Sequence, residues 1–229
     1  MRRARAALLG VTLVLGLPAL ASPRVPAPVP ASARAEPAAP ARATLRGVGE
    51  GVHARLAQPA VLRGQFEQSK RLEGFRQPLV SRGDFLLVRD RGIAWDTREP
   101  FASTTLLTRE RLLTRLPDGS QRVLLDAAAS PGMAAVNALL MALVAGDLPA
   151  LAERFKLGET LAADGSWLLV LTPDEAGLRQ VFRRITLSGD RFVRAVEIEE
   201  AGGDVTTLRF LALSDAPAAP TPDEAARFD

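Results

Sequence analysis

The chain contains no cysteine, no tyrosine and a single histidine, His53. Without cysteine there are no disulfide frameworks, thiolate nucleophiles, iron–sulfur clusters or thiolate-ligated zinc sites. With one histidine, a two-histidine metal site is excluded as well. Lysine is almost missing: arginine outnumbers it 27 to 2. The arginines alternate with acids along the chain, so there is no basic block, and the aromatic–basic interleaving used by single-strand binders is absent. Nucleic acid is not an expected partner. The two longest apolar runs, twelve residues at 6–17 and fourteen at 133–146, fall short of the ~20 residues that a bilayer-spanning helix needs. There is no G-x-S-x-G, no P-loop and no metal-ligand spacing. Acids such as Glu197, Glu199 and Glu200 read as the solvated side of strands. No catalytic residue, cofactor or metal is therefore expected, and the chain is not read as an enzyme.

What is present is a globular composition, 47% hydrophobic and 24% charged over 229 residues, enough for one domain with a substantial core. Its formal charge is +3. Three of the basic residues, Arg2, Arg3 and Arg5, precede the apolar run from Ala6 to Leu17, and Ala19-Leu20-Ala21 follows. A positive start, a short apolar stretch and small residues at a cut site form a secretory signal peptide, here expected over residues 1–21 with cleavage near Ala21. Removing it leaves 26 basic against 26 acidic residues, so the mature chain is formally neutral. Residues 22–43 hold six prolines and eight alanines and read as an extended, disordered leader. The folded domain is expected over 44–215. The tail 216–229, again rich in Pro and Ala, is expected to fray.

Thr44 to Gln58 can form a short amphipathic helix, with Leu45, Val48, Val52 and Leu56 three or four residues apart. Residues 61–69 alternate: Leu62, Gly64, Phe66 and Gln68 on one side, Arg63, Gln65 and Glu67 on the other, as a half-buried strand requires. Further strands are predicted at 80–89, 91–97, 102–108, 111–116, 121–126, 157–163, 166–172, 179–188, 191–200 and 204–213. Turn signals separate neighbours, among them Pro117-Asp118-Gly119-Ser120, Ala163-Asp164-Gly165 and Gly202-Gly203-Asp204. The pattern predicts a mainly β protein: an antiparallel meander that curls into a barrel or half-barrel. It is interrupted at 131–155, where Ser130 and Pro131 suit a helix start. Met133, Val136, Leu140 and Val144 make that helix apolar on nearly every face, so it must be covered or cover something. Gly146 ends it, and a second short helix is predicted from Leu148 to Phe155. The long helix reads as a plug on the open face of the curved sheet, and equally as a lid over an acyl-chain cavity.

One stretch carries a resemblance. Gly64-x-Phe66-x-Gln68-x-Lys70 is followed by Ser81-x-Gly83-x-Phe85-x-x-x-Arg89. Then come Gly92-Ile93-x-Trp95-x-Thr97-x-x-Pro100-Phe101 and Leu106-Leu107-Thr108. This series resembles the periplasmic outer-membrane lipoprotein carrier family (LolA-like), in a divergent branch. The resemblance implies an incomplete antiparallel β-barrel (a half-barrel) whose apolar face is closed by a helical lid. It also implies a periplasmic, monomeric carrier that shields the acyl chains of lipoproteins in an apolar cavity. Its partners would be the acylated lipoprotein or other lipid cargo, an inner-membrane transporter and an outer-membrane acceptor. By the same resemblance, Arg89, six residues before Trp95, bonds to the lid and gates the cavity, although Asp90 stands where the family has proline. Phe66, Phe85, Trp95 and Phe101 would wall the cavity, with Met133, Leu140 and Val144 on the lid. Two other readings stay open: an accessory lipid or glycolipid-binding protein working with an inner-membrane exporter, and a periplasmic sensor module on a similar half-barrel.

Overall fold

The computed structural model describes residues 49–126, 141, 142 and 146–228. The predicted signal peptide, the leader and most of the predicted lid helix lie outside these residues. Eleven strands form one antiparallel sheet: β1 (Val61–Arg71), β2 (Leu79–Val88), β3 (Gly92–Glu99), β4 (Ser103–Thr108), β5 (Arg111–Arg115), β6 (Gln121–Asp126), β7 (Phe155–Leu161), β8 (Trp167–Pro173), β9 (Phe182–Gly189), β10 (Val193–Glu200) and β11 (Val205–Ser214). All eleven fall where the alternation and the turn signals predict them. The sheet order is β6-β5-β4-β3-β2-β1-β11-β10-β9-β8-β7. It is an open antiparallel sheet that does not close into a barrel.

The order refines the expected meander. Two meanders, β1–β6 and β7–β11, join at the centre of the sheet because β11 pairs with β1, with Phe210 opposite Phe66 and Thr206 opposite Lys70. The residues between β6 and β7 therefore link the two outer edges of the sheet. Four helices are described: α1 (Glu50–Arg55), α2 (Leu148–Ala152), α3 (Ala176–Arg179) and α4 (Pro222–Ala226). Helix α2 is shorter than predicted because Phe155 already enters β7. It starts at Asp147, whose side chain accepts a bond from the Ala150 N–H, after a turn at Gly146 with φ of +65°.

The two sheet faces differ. The inner face holds the main core, in which Val52 of α1, Leu56 just after it, and Leu148 and Leu151 of α2 pack with residues such as Leu169, Leu171, Ile185 and Leu187. The outer face carries a smaller apolar cluster of Val61, Leu86, Val88, Ala94, Leu106 and Leu113. Phe228, near the C-terminus, packs against it.

That contact corrects the expectation of a fraying tail. Helix α4 has a complete capping box, in which the Glu224 N–H donates to Thr221 Oγ1 and the Thr221 N–H donates to Glu224 Oε2. Arg63 on β1 holds Glu224 with two bonds of 2.7 Å, and Arg227 holds Asp96 on β3 with two more of 2.7 Å. The last residues form a strap across the outer face.

Candidate functional site

The inner face is built from glycine–aromatic pairs. The register sets Phe66 opposite Gly83 and Gly64 opposite Phe85, so each aromatic ring lies across a strand position that has no side chain. A Cβ on Gly83 would come within 2.9 Å of Phe66 Cε1, and one on Gly64 within 2.8 Å of Phe85 Cε1. The two rings then meet Trp95 and Phe210. Phe66 stands edge-on to Trp95 at 6.1 Å and 67°, and Phe85 lies 6.1 Å from Trp95 and 5.0 Å from Phe210. Geometry of this kind is favourable for aromatic quadrupoles.

Of the residues expected to wall a cavity, Phe66, Phe85 and Trp95 are brought together and buried. Phe101 is not among them: it sits in the turn between β3 and β4 and is 60% exposed. Met133, Leu140 and Val144 lie outside the described residues. Phe210 completes the aromatic group, and its only sequence signal is its place in the alternation of β11.

Arg89 follows β2 and grips the segment after α1. Its Nε donates to the Pro59 carbonyl and its Nη1 to Gln58 Oε1, both at 3.2 Å, while the Arg89 N–H donates to the Ala60 carbonyl at 2.9 Å. Arg89 Nη2 is buried with no hydrogen-bond partner. It borders a void of about 10 Å³ shared with Leu56, Leu62, Phe85, Leu87 and Phe210. The arginine thus ties the segment that follows α1 to the end of β2, despite Asp90.

Eight of the nine buried polar side chains among the described residues belong to the inner face. Thr206 lies opposite Lys70, Gln68 opposite Ser81, Thr97 opposite Ser103 and Thr105 opposite Thr114. They form a polar band running obliquely across β11, β1, β2, β3, β4 and β5. The Lys70 ammonium donates to Glu200 Oε1 at 2.9 Å and lies 3.4 Å from Asp204 Oδ2. Glu200, read from sequence as solvated, is therefore half-buried and paired. Glu199 is also half-buried and bonds to Arg184, whereas Glu197 is exposed. His53 is exposed on α1. No cluster of three or more metal-ligating side chains occurs among the described residues.

The site is thus an open antiparallel sheet with one apolar, aromatic face buried. The chain belongs to the outer membrane lipoprotein carrier protein LolA-like family, whose model matches residues 38–228. No curated protein matches it. Among solved structures it is similar to a LolA superfamily protein from Nitrosomonas europaea, with 12% identity and a TM-score of 0.44 over 82% of this chain and 98% of that one. It is also similar to an outer membrane lipoprotein-sorting protein domain from Vibrio parahaemolyticus, with 10% identity and a TM-score of 0.42 over 79% and 97%. The MucA/MucB complex of Pseudomonas aeruginosa aligns at 16% identity and a TM-score of 0.38, over 71% of this chain and 54% of that one.

Proposed function

We propose that the protein is a periplasmic carrier that takes up the acyl chains of lipoproteins on the inner sheet face and delivers them to an outer-membrane acceptor. In this reading the signal peptide over residues 1–21, cleaved near Ala21, exports the chain, and its membrane partners are an inner-membrane transporter and that acceptor. The observation that carries this reading is the buried aromatic group of Phe66, Phe85, Trp95 and Phe210 on the inner sheet face. Acyl chains are expelled from water at about 0.8 kcal/mol per CH₂, so an apolar face is sufficient recognition and no catalytic group is needed.

Among the described residues, the inner face shows no space for such cargo. Even pockets for small molecules measure about 300–1,000 Å³, against the void of about 10 Å³ beside Arg89. Uptake therefore requires the covering elements to move off the sheet, and the two side-chain bonds from Arg89 to Pro59 and Gln58 oppose that movement at α1. Two hydrogen bonds of about 0.5–1.5 kcal/mol each are strong enough to keep an empty carrier closed and weak enough to yield to an acyl chain.

Native mass spectrometry of the protein taken from the periplasm is the direct test, with a co-purified acylated lipoprotein as the expected result. A free lipid or glycolipid in its place favours the exporter-accessory reading. An empty protein that also fails to bind an acyl probe overturns the carrier. Arg89→Leu is expected to speed acyl-probe uptake about five- to tenfold, the effect of losing ~1 kcal/mol of closure, in stopped-flow traces of Trp95 fluorescence recorded in a Trp167→Phe background. Unchanged uptake and unchanged affinity would remove Arg89 from the gate.

A further inference from the structure

We infer that the polar band on the inner face is a subsite for the linkage between acyl chains. It accepts an uncharged ester-, amide- or hydroxyl-bearing centre and disfavours a phosphate. The inference deepens the carrier reading and rests on it.

The band holds an unusual set of unpaired groups. Gln68 Oε1, Trp95 Nε1 and the hydroxyls of Thr97, Ser103 and Thr206 are all buried without a hydrogen-bond partner. Each residue is at least nine-tenths buried. Native proteins leave few buried polar groups unpaired, and each such group costs stability. Five on one sheet face, spread over β11, β1, β3 and β4, make up a vacant set of hydrogen-bonding positions. Nor is residue stretch 127–145 rich in possible partners, since Ser130 and Asn137 are its only side chains with hydrogen-bonding groups.

The chemistry of the set defines the ligand. Gln68 Oε1 can only accept and Trp95 Nε1 can only donate, while the three hydroxyls can do either. A matching group must therefore offer both carbonyl-type acceptors and N–H or O–H donors. Charge makes the second selection. Lys70 is the one cation of the band, and its ammonium already faces two carboxylates, Glu200 at 2.9 Å and Asp204 at 3.4 Å. The local sum is negative, so a phosphate would meet repulsion without a free cation to offset it. The aromatic group adjoins the band directly, since Trp95 and Thr97 share one strand and one face. Chains on the aromatics and their linkage on the band form one continuous site.

The test uses the mature full-length protein and three probes. Diphenylhexatriene, a hydrocarbon without a headgroup, reports on the apolar face; dioleoylglycerol and dioleoyl phosphatidic acid, with identical chains, then compete for it. Dioleoylglycerol is expected to displace the hydrocarbon at about tenfold lower concentration than the phosphatidic acid, corresponding to one or two retained hydrogen bonds. In Gln68→Leu/Thr97→Val that preference should shrink to within about threefold, with hydrocarbon binding unchanged. Both variant positions should also leave the melting temperature equal or higher, because an unpaired buried group is removed. Equal displacement by the two lipids, or a preference for phosphatidic acid, overturns the subsite and leaves the carrier reading standing. Failure of diphenylhexatriene to bind at all overturns both. A lowered melting temperature in Gln68→Leu/Thr97→Val and in Thr206→Val alone would make the band a structural element and likewise overturn the subsite.

Discussion

Gly83→Ala is expected to leave the protein unable to assemble its sheet. Gly83 sits where β2 and β3 slip register, with Arg82 opposite Glu99 and Gly83 opposite Thr97. A Cβ there would lie 1.9 Å from the Asp96 carbonyl oxygen and 2.8 Å from its carbon. Both atoms belong to the backbone of the adjacent strand, so no rotamer change relieves the clash. Moving β3 away would break the β2–β3 ladder and separate Trp95 from Phe85 and Phe66. Overpacking of movable core side chains costs about 1–3 kcal/mol. A backbone collision at this distance should exceed about 4 kcal/mol, a large part of the 5–15 kcal/mol that holds an ordinary domain. The expected outcome is little soluble protein, and loss of the cooperative urea transition in any that is recovered. Gly158→Ala is the control: it lies on exposed β7, and the nearest atom to its Cβ would be 4.0 Å away. There the shift should stay within about 1 kcal/mol. A Gly83→Ala protein with the parental urea midpoint would show that the strands part at no cost.

The same glycine shows how far the sequence can be read. The two G-x-F motifs at Gly64-x-Phe66 and Gly83-x-Phe85 are visible in the sequence, as are all eleven strands, because alternation and turn residues are local signals. That each glycine faces the other motif's phenylalanine depends on the register between β1 and β2, which no local pattern encodes. The same holds for β11 against β1, whose partners Thr206 and Lys70 lie far apart in the chain. Gln68, Thr97 and Thr206 each read as unremarkable strand residues until pairing collects them in one band. Glu200 reads as solvated until the β10–β11 turn brings it to Lys70. Phe101 belongs to the same motif as Trp95, yet lies beyond the end of β3 and so escapes the face that Trp95 occupies. The strap is hidden in the sequence for a different reason. Its Pro and Ala content suggests fraying, but Thr221-Pro222-Asp223-Glu224 carries both a capping-box pattern and a proline at the first helical turn. Composition outweighed a specific local signal.

Deletion of residues 216–229 is therefore expected to destabilise the domain by about 4–5 kcal/mol rather than leave it unchanged. Two contributions make up this figure. Exposing Phe228 and the outer-face residues it covers costs about 2–3 kcal/mol at usual values for a large apolar side chain. The pairs Arg63–Glu224, a two-nitrogen fork, and Arg227–Asp96, in which Nη2 donates to both oxygens, are charge-assisted and only 21–34% exposed at their side chains, so about 1 kcal/mol each is reasonable. Urea unfolding of the truncated and full chains measures the difference. An unchanged midpoint would return the tail to the status of a loose end.

Acid titration separates the two contributions. Arg63 first of all, with the Thr221 N–H, holds the Glu224 carboxyl down at about 2 from its ordinary 4.5, against the opposing effect of partial burial. A carboxylate held below its unfolded value stabilises the fold above that value and loses its effect as the pH falls. The Glu224 contribution should thus be complete at pH 6, decline below about 4.5 and be gone near 2. Glu224→Gln should lower stability by about 1 kcal/mol at pH 6 and converge with the parent at pH 2–3, while the truncated chain stays less stable throughout because Phe228 does not titrate. A Glu224→Gln deficit that persists undiminished at pH 2 would mean that the amide disrupts the capping box itself, and that the ion pair contributes little to holding the strap.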